Sequence, residues 1–403
     1  MSKVVLTAPM RIMVPIIKVV GDFCNLRCRY CFYSVRDQTT PHIMNEELLE
    51  SFISQYMCLF SGRITFIWHG GEPLLVGIKF FEKIIQLQQK YNKNHDVQNY
   101  IQTNGTCITD KWALFFKERH FRVGVSLDGC SKSHNQFRKK YWGEGSFDQV
   151  KRGIEILKKY GITPGFIQVL TRSNLRNLEK DFSFFMNFPL SSKGVAWGIN
   201  PYLDVAEINV RMLGEQVTNK DLKEYLMRYI DLWLHKNKPN LCIREIDHLV
   251  AGVLQKSAGS CSFNGTCTGY FCIDYDGKIY PCDRLAGRTE FLFGDLSQQS
   301  LIETLNGPSR LSYAQRVNSR HPECTTCEWQ KVCHNGCAHH RIGGIEGKYY
   351  YCETRKAIFS YLKEKIENFL ARHKSDDQKG AYHETKEESF TRRSCDHCGH
   401  KEA

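Results

Sequence analysis

Hydrophobic positions in the first two hundred residues follow two alternating periods. Short β-rich runs, MVPIIKVV from Met13, RITFIW from Arg63, VQNYIQT from Val97, FRVGVSL from Phe121, GFIQVL from Gly165 and GVAWGI from Gly194, read as strands. Between them lie stretches with apolar residues at helical spacing, among them 45–60, 78–91 and 146–161. Strand followed by helix, repeated six times, predicts a parallel sheet, because parallel neighbours need crossovers and these are right-handed. The pattern leaves open whether the six strands close into a barrel. Helical periodicity continues through 220–236 and 243–256. Beyond Ser260 the elements shorten and cysteines crowd together, as in a small domain held by metal. A last helix is expected from Tyr351 to His373, followed by a polar, charged tail that reads as flexible. The expected division is a core domain over 1–240, a cysteine-rich domain over 241–372 and a tail over 373–403.

Charge and cysteine content narrow the class. The net charge of +12 allows a polyanionic partner, but the basic residues are scattered and form no long block. MSKVVLTAPMRIMVP lacks the apolar run and cleavage site of a signal peptide, so a reducing, cytoplasmic setting is expected. There, 18 cysteines are better read as metal ligands than as bridges. No run of about 18 apolar residues occurs, and no membrane span is expected.

CNLRCRYC sets Cys24, Cys28 and Cys31 in a CxxxCxxC loop just after the first strand. Three thiolates can hold three corners of a four-iron cluster and leave the fourth iron open. Zinc is the other reading, but it would want a fourth protein ligand close by. The loop, followed by Phe32 and Tyr33, resembles that of the radical S-adenosylmethionine (SAM) family, in which the open iron chelates SAM. The resemblance implies cofactor-binding roles at Tyr30 and along the strand ends. Gly70, Gly71, Glu72 and Pro73 are similar to the family's GGEP motif, which bonds the SAM amino group. Gln102 and Asn104 belong to QTNG and Ser126 to SLDG; by resemblance, Ser126 and Arg138 hold the SAM carboxylate. Each tetrapeptide alone is also an ordinary turn; their recurrence at strand ends, where parallel α/β barrels collect functional groups, carries the weight.

Downstream stand Cys261, Cys267 and Cys282, then Cys324, Cys327, Cys333 and Cys337 in CxxCxxxxxCxxxC, and finally Cys352. Eight thiolates match two fully ligated four-iron clusters; paired CxxC units are also zinc ligands. The arrangement resembles the SPASM domain of peptide-modifying radical SAM proteins. The resemblance implies a partial (β/α)6 barrel with a C-terminal SPASM-type domain, three [4Fe-4S] clusters and SAM. It also implies that Cys261, Cys267, Cys282 and Cys337 hold one auxiliary cluster and Cys324, Cys327, Cys333 and Cys352 the other. Of the rest, Cys58 and Cys242 fall in helical patterns and Cys272 in an apolar strand, where a small buried hydrophobe is expected. Cys107 and Cys130 follow strand-end turns, and CDHCGH near the end gathers possible metal ligands on the tail.

Around SCSFNGTCTGYFCIDYDGKIYPCDR the chain is similar to anaerobic sulfatase-maturating enzymes, which oxidise a Cys or Ser of a sulfatase to formylglycine. That resemblance makes Asp283 a general base and Tyr33 a substrate-site residue, with a flavodoxin or ferredoxin as electron donor. One departure is His69 in WHGGEP, which looks instead like maturases of ribosomally made peptides that install carbon–carbon, ether or thioether crosslinks. A zinc-binding nucleic-acid module is the rival of another class; it predicts salt-sensitive binding, and the basic helices of such readers are missing from the cysteine loops.

Overall fold

The structure, a computed structural model, describes residues 13–35, 41–187, 195–204, 212–236, 241–256 and 258–377. Six parallel strands, β1 (Val14–Lys18), β2 (Arg63–Trp68), β3 (Asp96–Thr103), β4 (Arg122–Ser126), β5 (Gly165–Leu170) and β6 (Val195–Pro201), lie side by side in chain order. Helices cross between them, among them α1 (Glu46–Leu59) and α2 (Ile78–Tyr91). The first is started by Asn45, whose side chain accepts from the Leu48 amide at 2.7 Å. Trp68, Trp197, Phe52, Phe66, Phe81 and Phe116 are fully buried in the core. The cysteine loop and the GGEP, QTNG and SLDG turns follow β1, β2, β3 and β4, so they share the carboxyl edge of the sheet.

The sheet does not close on itself among the described residues; it grows at both sides to ten strands, one added beside β6 and three beside β1. Beside β6 lies β7 (Leu241–Ile243), a short strand where the periodicity predicted the run into a helix, so Cys242 sits on a strand. Beside β1 lies β8 (Tyr270–Asp274), parallel to it from Val14↔Tyr270 to Lys18↔Asp274, followed by antiparallel β9 (Lys278–Tyr280) and β10 (Gly294–Asp295). The cysteine-rich region therefore extends the barrel sheet through backbone pairing. Cys272 on β8 is fully buried, as expected of an apolar strand, whereas Cys58 on α1 is exposed. The C-terminal helix, Cys352–Asp377, packs on α7 (Asn219–Lys236) and α8 (Arg244–Val253) and runs four residues past His373. The tail motif CDHCGH lies outside the described residues.

An ion cluster pins the seam between β1 and β8. Lys18 is fully buried and its Nζ lies 2.8 Å from both Asp22 and Asp274. Burial pulls its pKa down, and the two carboxylates more than reverse this, so it is raised. Removing the cation strands two buried carboxylates. Lys18→Met should cost about 3–5 kcal/mol, read as a lowered denaturation midpoint of reconstituted protein; a loss below about 1 kcal/mol would mean that strand pairing alone holds the seam.

Candidate active site

The cysteine loop is held against the chain that follows helix α4 (Ser131–Phe137): Arg27 N donates to Lys139 O at 2.7 Å and Arg29 N to Phe137 O at 2.9 Å. Its other side leans on the glycine pair. Gly71 N donates to Gly21 O at 2.8 Å and Glu72 N to Phe23 O at 2.9 Å. A Cβ on Gly71 would fall 1.9 Å from the Phe23 carbonyl oxygen, so only glycine fits. Cys24, Cys28 and Cys31 then face a cavity of about 230 Å³ that also meets Tyr30, Tyr33, His69, Gly70, Gly71, Gln102, Asn104, Ser126, Arg138 and Asp283.

Burial, with the neighbouring thiols adding to it, pushes Cys24 and Cys28 up. Cys24 lies well above the ordinary thiol range; Cys28 is pushed to about 12, chiefly by burial, with Arg138 acting the other way. Two donors meanwhile point at the Cys24 sulfur, Leu26 N at 3.4 Å and Asn104 Nδ2 at 3.7 Å. Buried sulfurs that repel one another as thiolates yet attract N–H donors suit an iron–sulfur cluster, whose positive irons reverse the repulsion.

Of the groups named from sequence, Glu72 and Pro73 stand behind the cavity, while Tyr30 and Arg138 line it and are braced. Glu72 is fully buried and does not line the cavity. Its carboxylate accepts from Thr103 Oγ1 (2.7 Å), Asn104 N (2.7 Å) and Leu74 N (3.1 Å), locking the GGEP turn to the end of β3. Burial raises its pKa to about 7 against those bonds. Pro73 opens the short 3-10 turn Pro73–Val76 behind it and is likewise absent from the wall. The Tyr30 hydroxyl donates to Asp128 at 2.5 Å, and Arg138 forms a two-pronged pair with the same carboxylate at 3.0 and 3.1 Å. Asp128 was missed in the sequence although it stands in SLDG. It also accepts from Val169 N at 2.9 Å and orients the guanidinium beside Cys28. Ser126 Oγ accepts from Gln102 Nε2 at 3.2 Å on the cavity wall. Glu72→Ala should leave three donors unmatched and destabilise the fold by roughly 3 kcal/mol or more, read by chemical denaturation; an unchanged midpoint would make the clasp dispensable.

The same cavity is also lined by Tyr33, His69 and Asp283, together with Arg284 and His339. Tyr33 is buried, its pKa raised by burial and then by Asp283, and Lys18 Nζ lies 4.8 Å from its ring centre. Burial lowers the His69 pKa, Asp283 opposes this, and Lys18 and Arg284 add to it, so the imidazole is neutral near pH 7. Its buried Nδ1 has no hydrogen-bond partner among the described residues, which leaves it available to a substrate group. Arg284 Nη1 lies 3.1 Å from His340 Nε2, and the guanidinium is an electrostatic neighbour of Asp283, Cys282 and Cys337. Neither Arg284 nor His339 stood out in the sequence.

Asp283 follows Cys282, and through it the cavity borders the second set of cysteines. Cys261, Cys267, Cys282 and Cys337 are close enough that the other three all raise the Cys261 pKa. Cys324, Cys327, Cys333 and Cys352 line a separate narrow cavity of about 20 Å³. Among the described residues no three His, Cys, Asp or Glu side chains converge on a single-ion site; these thiols are spread over cavity walls. Cys107 accepts a contact from Asn25 Nδ2 at 3.4 Å beside the cysteine loop, and Cys130 precedes α4 with its amide on Asp181 at 2.9 Å.

Fold and site together define a radical SAM enzyme with an appended iron–sulfur domain. Residues 19–185 match the radical SAM superfamily and 261–328 the SPASM iron–sulfur cluster-binding domain. A cysteine-type anaerobic sulfatase-maturating enzyme of Clostridium perfringens is 32% identical over 364 residues, covering 88% of this chain and 97% of that relative. A serine-type enzyme of Bacteroides thetaiotaomicron is 29% identical over 366 residues, covering 86% and 88%. The chain belongs to the anaerobic sulfatase-maturating enzyme family. The solved structure of native anSMEcpe with bound AdoMet and Cp18Cys peptide superposes with a TM-score of 0.80 at 30% identity, over 90% of this chain and 100% of that one. Streptococcus suis SuiB bound to precursor peptide SuiA, at a TM-score of 0.59 and 14% identity over 84% and 75%, shares the fold. The family carries three [4Fe-4S] clusters and SAM. Among the described residues no helix is long and apolar enough to cross a membrane.

Proposed function

We propose that this chain oxidises a Cys or Ser side chain in a sulfatase peptide to formylglycine, with Asp283 as the base. The observation that carries this is the shared cavity: the Cys24–Cys28–Cys31 loop and Asp283, beside Cys282, line the same space. Bound there, the first cluster and SAM would supply radical chemistry at the substrate carbon, and the auxiliary clusters would supply a one-electron sink. The chain's own work is positioning and proton transfer. Cys24, Cys28 and Cys31 hold the SAM-binding cluster. Gly70, Gly71, Gln102, Asn104, Ser126 and Arg138 orient SAM with Tyr30 beside them, and Glu72 and Pro73 brace the turn from behind. Asp283 takes the thiol or hydroxyl proton as the double bond forms; a serine gives the aldehyde directly, and a cysteine gives a thioaldehyde that water converts to the aldehyde with release of hydrogen sulfide. Tyr33 and the neutral His69 meet the substrate backbone or side chain in the same cavity.

The two other cysteine sets hold the auxiliary clusters as quartets, Cys261, Cys267, Cys282 and Cys337 nearer the substrate and Cys324, Cys327, Cys333 and Cys352 farther from it. The division of labour follows the sequence boundary, radical chemistry over 1–240 and electron transfer over 241–372, although strands cross the seam. A flavodoxin or ferredoxin supplies the reducing electron. The peptides bound to anSMEcpe and SuiB support a peptide substrate here.

The test gives reduced, reconstituted enzyme SAM and two CxPxR-type peptides, one with Cys and one with Ser at the target position. Conversion of either to the aldehyde supports the reading. Deoxyadenosine formed with both peptides unchanged overturns it in favour of crosslinking a ribosomal peptide, the outcome that His69 in WHGGEP favours, and His69→Gln is then the first variant to make.

A further inference from the structure

Arginine is rarely buried without a carboxylate. Arg138 has Asp128, and Arg284 has Asp283 beside it. Arg355 is only 7% exposed, and among the described residues no Asp or Glu hydrogen-bonds or ion-pairs with it. Its Nη1 donates to Ser262 O at 2.7 Å and lies 3.3 Å from Cys333 O and 3.6 Å from Cys333 Sγ. Nη2 donates to Tyr349 Oη at 3.3 Å. The guanidinium carbon sits 4.0 Å from the Phe263 ring centre and 4.5 Å from that of Tyr349, so two aromatic rings lie against it. Arg355 also stands three residues after Cys352 on the C-terminal helix, on the face that carries that thiol, and lines the cavity of Cys324, Cys327, Cys333 and Cys352.

A buried cation whose anionic neighbours are all cysteine sulfurs needs a charge to balance it. Four thiolates around a four-iron cluster supply a net negative charge that grows by one on reduction. A fixed cation held by two rings and two backbone carbonyls beside one sulfur therefore favours the reduced state more than the oxidised one. The nearer quartet has arginines of its own: Arg284 beside Cys282 and Cys337 but also beside Asp283, and the buried Arg341, which donates to backbone carbonyls and is an electrostatic neighbour of Cys267 and Cys337 as well as of Cys324.

We propose that Arg355 raises the reduction potential of the cluster held by Cys324, Cys327, Cys333 and Cys352, making that auxiliary centre easier to reduce than it would be without the cation. It is a positioning residue, acting through the cluster, and this role rests on the ligand reading given above. The step concerned is a one-electron reduction of that cluster, with no bond made and no proton taken. The electron is the one released as the substrate radical forms the double bond, and it leaves to a one-electron carrier of the flavodoxin or ferredoxin class. The charge does the tuning, and the same side chain ties the Ser262 turn to Cys333.

The test is a potentiometric titration of the full chain, reconstituted anaerobically and followed by electron paramagnetic resonance. It uses a background in which Cys24, Cys28 and Cys31 are all Ala, so that only auxiliary signals remain. Arg355→Gln should move one of the two reduction steps to more negative potential and leave the other in place. Arg355→Lys, which keeps the charge but cannot make the whole clamp, should keep that step near its original position. Arg355→Gln with full iron and neither step moved overturns the inference, as does Arg355→Lys shifted as far as Arg355→Gln. If Arg355→Gln fails to hold iron, Arg355→Lys decides alone: a step that stays supports the tuning role and one that falls overturns it. The ligand reading fails separately, if Cys324→Ala with Cys327→Ala costs no iron.

Discussion

Asp283→Asn, reconstituted with its full iron, will go on cleaving SAM while peptide oxidation falls by roughly two to four orders of magnitude. The substitution keeps the size of the side chain and leaves Cys282, Arg284 and the cysteine loop as they are. What it removes is the one carboxylate lining the cavity that Tyr33 and His69 share. Hydrogen removal does not need that group, but loss of the thiol or hydroxyl proton does. The ratio of deoxyadenosine to aldehyde should therefore rise steeply. If Asp283 serves only as the electrostatic neighbour of Arg284, product and deoxyadenosine will fall together, and the ratio will stay put.

The second large effect belongs to the cysteine loop. Replacing Cys24, Cys28 and Cys31 together by Ala should abolish SAM cleavage and remove about a third of roughly twelve irons. The remaining two thirds stay because the auxiliary thiols sit on a different part of the chain, behind β8 and the C-terminal helix. Iron and sulfide analysis reads this directly. Zinc in place of iron, or loss of all metal, would contradict three separately held clusters.

Much of this was legible because the relevant signals are local. The period-2 and period-3.6 runs placed β1 to β6 and the helices between them within a few residues, and a parallel order then put every motif at one sheet edge. What was not legible came from pairings distant in sequence. Nothing in YFCID says that it lies parallel to VPIIK across more than two hundred residues, and so the seam ion pair of Lys18 and Asp274 could not be read. LCI is too short to register as a strand beside a strongly helical run, and its cysteine went with the helix. Which motif side chains turn inward is also not readable from the sequence: Glu72 stands in the GGEP turn, and three donors hold its carboxylate behind the cavity. Asp128, Arg284 and Arg355 went unnoticed because each acts through a partner that only the fold brings near.

The most direct test of the whole account uses a target peptide whose reacting Cys or Ser carries deuterium on its β-carbon, given to the reduced enzyme with SAM. The account predicts deuterium in the deoxyadenosine, at one per aldehyde formed. Unlabelled deoxyadenosine, or aldehyde formed without it, would contradict hydrogen removal from that carbon and with it the role assigned to this cavity.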